Sequence, residues 1–175
     1  MKNDEILNIL NNILNIKNIT QDKIPNIDLY TDQVTTFIEE NLKDFKRNDD
    51  QKIITKTMIN NYTKDKILPP SNKKKYNKEH ILFLILIYNL KSILSINDVR
   101  LLLKNEQQNI NKIYDKFLNY QTITNQNLLN DTNNLLQNIN TKDKTDLIAF
   151  LICLIDETNK RKLLVEKIID TYFKN

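Results

Sequence analysis

Few side chains in this sequence could carry covalent chemistry. There is one histidine, His80, and one cysteine, Cys153. Cys153 sits inside the run LIAFLICLID, where a small hydrophobe suits a buried helix face, so a core thiol is expected rather than a nucleophile. One His and one Cys leave a metal site to carboxylates without recognisable spacing, and no disulfide can close within the chain, so neither metal nor cofactor is expected. His80 stands at the start of an apolar run, the place of a buried or capping histidine. Glu39, Glu40 and Asp44 share the flank of one amphipathic helix and read as solvation. Glycine is absent, which removes the phosphate-cradling loop, the dinucleotide fingerprint and the nucleophile elbow together, because each needs close backbone approach or a strained turn. The protein is not expected to be an enzyme.

Recognition chemistry is better represented. The stretch TKTMINNYTKDKILPPSNKKKY, residues 55–76, places Met58, Ile59 and Tyr62 on one side of a helix at about 55–64. Lys56, Thr57, Asn60, Asn61 and Lys64 then lie outward or to the side. Amides can pair bidentately with adenine, and lysines can reach guanine or phosphate. Pro69 and Pro70 forbid the helix to continue. The following loop, at about 71–78, carries Lys73, Lys74, Lys75 and Tyr76, with Lys78 at its edge, a cluster able to neutralise several phosphates. Tyr62 and Tyr76 read better as packing anchors than as base-stacking residues. Residues 52–80 hold eight lysines against two acids, a net +6 in a chain that totals +4, so the remainder is −2. A basic segment on an acidic body suits an anionic partner such as nucleic acid.

The elements that position these residues are helical. Ile6, Leu7, Ile9, Leu10, Ile13, Leu14 and Ile16 form the stripe of a leading amphipathic helix within 1–19. TDQVTTFIEENLKDF, from Thr31, gives another, with Val34, Phe37, Ile38, Leu42 and Phe45 inward. NKEHILFLILIYNLKSIL is apolar nearly all round and belongs at the centre of a domain. Ser95 to Asp98 caps a helix running to about Lys104. The second half reads as four short helices, Ile110–Leu118, Leu128–Ile139, Thr145–Ile155 and Lys160–Phe173. With no Gly, Asn can take over some of the left-handed turns and caps. No alternating run is long enough for a substantial sheet, so the expected fold is predominantly α, with at most a short two-stranded wing around 68–76.

A helix, a connection, a short second helix, a basic loop and a supporting apolar helix make a winged helix-turn-helix-like unit, in which the second helix enters the major groove and the loop meets the backbone. The words IPNIDLYTDQV (24–34) and ITKTMINNYTKDKILPPSNKKKYNKEHILFLILIYNLKSILSINDVRLLL (54–103) resemble the bacterial family catalogued as domain of unknown function 1836. Within them, TMINNYTKDKILPP followed by KKY is similar to the DNA-binding head of the MerR class, where a short recognition helix ends in an aromatic, a Leu-Pro step follows, and a basic wing precedes a third helix. That resemblance implies Thr57, Asn60, Asn61 and Tyr62 on the recognition helix and Lys74, Lys75 and Tyr76 on the wing. The connection Lys46 to Lys52 is longer than in that class, and lysines stand where arginines are usual.

The expected organisation is a leading helix at 1–19, a MerR-like helix-turn-helix domain at 20–105, and a C-terminal helical bundle at 106–175 for dimerisation or ligand binding. The expected function is transcriptional regulation by a homodimer on double-stranded DNA, with the C-terminal half as the place for a small-molecule effector. The alternative is an all-helical protein-interaction module whose basic segment is incidental. The N-terminus does not resemble a signal peptide. The apolar run Ile81–Tyr88 is far short of the roughly 20 residues of a membrane span. A cytoplasmic protein without membrane contact is expected.

Overall fold

A computed structural model describes residues 2–174; Met1 and Asn175, the outermost positions of the first and last expected segments, lie outside the described residues. In chain order the elements are α1 (Lys2–Leu14), β1 (Leu29–Tyr30), α2 (Thr31–Leu42), α3 (Lys56–Lys64), β2 (Lys75–Tyr76), α4 (Lys78–Lys91), α5 (Ile96–Leu103), α6 (Ile110–Leu136) and α7 (Lys144–Tyr172). The protein is predominantly α, and its one sheet, among the described residues, is the antiparallel pair of β1 and β2.

The chain divides into two compact units, neither continuous in sequence: Asn18–Lys116 with Glu166–Asn175, and Met1–Lys17 with Phe117–Val165. The first holds nearly all the buried apolar side chains. Its centre is α4, where Ile81 through Ile87 are all buried, as an uninterrupted apolar helix requires. Val34, Ile38 and Leu42 from α2, Ile59 and Tyr62 from α3, and Val99 and Leu103 from α5 complete that core. Tyr114, in the first turns of α6, is buried and donates its hydroxyl to the Ile19 carbonyl at 2.6 Å; burial pushes its phenol far above the ordinary value.

The two-stranded pair expected around 68–76 is replaced by another pairing. β2 supplies one strand, but its ladder partner is β1, paired Leu29 to Tyr76 and Tyr30 to Lys75, from the segment before α2. The second unit corrects the sequence reading further. Four short helices are expected after residue 106, whereas α6 and α7 are two long ones of 27 and 29 residues. The polar stretches 119–127 and 156–159 contain neither Gly nor Pro, and Asn, Thr and Gln cost only about 0.5 kcal/mol each inside a helix. Ion pairs at i,i+4, Lys160 to Asp156 and Arg161 to Glu157, carry α7 through its polar middle. The break comes where Asp143 caps, its carboxylate accepting from the Thr145 and Asp146 N–H groups. Cys153, expected in the core, is exposed, because α7 packs through Phe150 and, in part, Leu147 and Leu154.

Candidate nucleic-acid interface

α3 is short, and nine residues would not hold a helix in water without packing. Thr55 caps it, its hydroxyl accepting from the Met58 N–H at 3.2 Å, and Ile59 and Tyr62 anchor it to the core. Lys56, Thr57, Asn60, Asn61 and Lys64 are all exposed, at i, i+1, i+4, i+5 and i+8, which is one face. Tyr62 is buried, the packing role read for it from the sequence. The helix ends in a Schellman motif: Ile67 N–H returns to the Tyr62 carbonyl at 2.9 Å and Lys66 N–H to that of Thr63 at 3.1 Å.

Beyond the two prolines the chain reverses in a two-residue hairpin turn. Asn72 and Lys75 exchange both backbone hydrogen bonds, at 3.1 and 2.8 Å. Lys73 and Lys74 occupy the two central positions with φ of 49° and 64°, the type I′ geometry that Asn-Gly adopts most easily. Lys66, Lys73 and Lys74 take three of the four left-handed positions found among the described residues, and Asn105 the other. A left-handed non-glycine residue costs roughly 1–2 kcal/mol. That cost is spent on two adjacent exposed cations.

Lys56, Asn60 and Lys74 line one open groove of about 360 Å³ together with Tyr30, Thr31 and Asp32 from the start of α2. The other predicted contact residues lie elsewhere: Thr57, Asn61 and Lys64 along the exposed face of α3, Lys73 at the hairpin tip, and Lys75 half-buried with its ammonium 5.3 Å from the centre of the Tyr30 ring. Tyr76, which the MerR likeness puts on the wing, takes the packing role read for it beside Tyr62. It is buried, edge-on to His80 with ring centres 5.5 Å apart. Tyr30 and Asp32 were not singled out by sequence. Tyr30 is exposed in β1, and Asp32 forms an ion pair with Lys56 in which both side chains are well solvated, a pairing worth under about 1 kcal/mol.

Two further residues hold this surface in shape. Glu39, read as solvation, latches the α2–α3 connection: one carboxylate oxygen accepts from the Ile53 and Ile54 N–H groups at 2.7 and 3.3 Å, and the other meets the Lys46 ammonium at 2.6 Å. Burial pushes its carboxyl up, but the Lys46 bond and the two backbone bonds outweigh that and leave it below the ordinary value. Only the link to residues 14 and 15 positions downstream makes Glu39 different from Glu40, and no local pattern signals it. His80 closes the other side. Its Nε2 lies 3.3 Å from the Pro70 carbonyl, its Nδ1 lies 3.3 Å from the Asn77 backbone nitrogen and in close contact with Asn77 Oδ1, and Asn77 Oδ1 accepts from the His80 N–H at 3.1 Å. The hairpin arm is thereby tied to the first turn of α4.

Residues 19–123 match the model of a family described as Domain of unknown function (DUF1836). No curated protein and no solved structure matches the chain.

Proposed function

We propose that this chain, which belongs to the DUF1836 family, binds double-stranded DNA as a transcriptional regulator, with α3 as the recognition helix and the 72–75 turn as the wing. The observation that carries this reading is the placement of Lys73 and Lys74 in a left-handed turn beside the exposed Lys-Asn face of α3, with Lys56, Asn60 and Lys74 on one groove. Residues kept in sparsely populated backbone regions concentrate at functional sites. Lysines at a hairpin tip neutralise phosphates, and amides on a neighbouring helix read base edges. The likeness of TMINNYTKDKILPP and KKY to the MerR head supports the same assignment, as does the +6 balance of residues 52–80. The role is one of binding, with no bond made or broken, and two copies on paired half-sites would multiply specificity.

Fluorescence anisotropy on duplex DNA across a salt series tests it. Affinity should fall steeply with salt, and changing Lys73→Glu with Lys74→Glu should weaken binding and flatten the slope of log K against log salt by about two. Equal binding by wild type and variant at every salt concentration would refute the assignment and leave the interaction-module reading.

A further inference from the structure

The second compact unit is poorly covered for its apolar content. Of its large apolar side chains among the described residues, only Leu136 and Phe150 are buried. α7 opens with nine consecutive apolar residues, Leu147 to Ile155, and such a helix is normally enclosed on every side. Here it packs on one side only. Leu147, Phe150 and Leu154, spaced i, i+3, i+7, make the inner face. At about 100° per residue, Ile148, Leu151, Ile152 and Ile155 form a stripe centred roughly 120° round the helix from that face, and each is about half exposed or more, from 47% to 60%. Leu163 continues the stripe two turns on and is also exposed.

From this arrangement we infer that the outer face of α7 is a homodimer interface, in which the stripe Ile148–Leu151–Ile152–Ile155 meets its own copy across a two-fold axis. This inference is independent of DNA binding. Area favours it. A fully exposed Leu or Ile side chain offers about 120 Å² of apolar surface, so the five stripe residues leave roughly 300 Å² in water. Ile9 and Ile13 on α1 and Tyr120 and Ile123 on α6 are also exposed in the same unit. One side of a standard interface buries about 800 Å², somewhat over half of it apolar, so the stripe supplies about two thirds of that apolar share. Composition favours a second copy over a foreign partner. From Ile148 to Ile155 the stripe holds no charged residue, so two copies can meet across it without opposing like charges. A two-fold asks only that a patch match itself, and rows of Ile and Leu at three- and four-residue spacing pack ridge into groove with their own copy.

Sedimentation equilibrium of the full chain at micromolar concentration should give twice the chain mass, and Ile152→Glu with Ile155→Glu should give the chain mass with helical circular dichroism unchanged. Should that variant lose helicity, hydrogen exchange of wild-type residues 147–163 decides: protection that rises with protein concentration supports the dimer, and protection independent of concentration overturns it. A wild type that stays at the chain mass, or a folded variant that keeps the doubled mass, also overturns the inference.

Discussion

Glu39 is the residue whose loss should be felt most for its size. Ile53 and Ile54 are buried, and their N–H groups depend on its carboxylate. Glu39→Ala leaves two donors without that acceptor, and denaturant unfolding should show a loss of about 2–3 kcal/mol, whereas Glu40→Ala, on the exposed flank, should change almost nothing. Because the folded state holds the Glu39 carboxyl below its ordinary 4.5, the contribution is complete above that pH and disappears as pH falls through the folded value. His80 acts in a different window. Burial lowers its pKa, against opposing pulls from the Pro70 carbonyl and the charges of Glu79 and Asp28. The unfolded chain therefore takes up a proton more readily than the folded one, so stability is intact above pH 6.5 and declines below it. Thermal melts of His80→Gln should lose the decline just below pH 6.5 and keep the acid limb set by carboxylates. Asp32 holds the Lys56 ammonium within the groove. Asp32→Asn removes both a repulsive charge and that competitor, and DNA titration should show binding several-fold tighter, about 1 kcal/mol.

At the scale of elements, the Lys73–Lys74 turn lets stability be tested apart from the proposed recognition. Lys73→Asn with Lys74→Gly supplies the residues a type I′ turn prefers, and the melting temperature should rise, by roughly 1–2 kcal/mol of stability, while DNA binding weakens through the loss of two cations. A turn that served only as a loop would show the first effect and not the second. The bounds of α3 and the burial of α4 were legible because apolar periodicity, a threonine cap and a double proline declare them. The partner of β2 was not, since two-residue strands have no periodicity to read and β1 lies across the whole of α2 and α3 in sequence. α6 and α7 were cut too short because polar residues such as Asn125 and Thr158 look like linkers, although a helix tolerates them once Gly and Pro are absent. The left-handed lysines were hidden for a related reason: without glycine, backbone demand falls on residues whose propensity gives no warning. Asp32 and Tyr30 escaped notice because their place in the groove comes from tertiary packing of α2 beside α3 and the turn.

For the whole molecule, charge and apolar content are unevenly shared. The unit built around α4 contains the family-matched core and the +6 segment, while the unit containing most of α7 leaves its apolar surface in water. A net positive balance concentrated in one segment of a chain that is otherwise −2 should direct an anionic polymer to that segment rather than to the whole surface. Sequence specificity would come from the α3 amides, and affinity from the lysines. The most direct measurement is to incubate the full chain with fragmented genomic DNA of its own source at near-physiological salt, and to sequence what is retained beside a Lys73→Glu, Lys74→Glu chain. Enrichment of a few sites that the variant fails to retain is the predicted result. Retention of no DNA, or of all fragments equally, would contradict sequence-specific regulation by this surface.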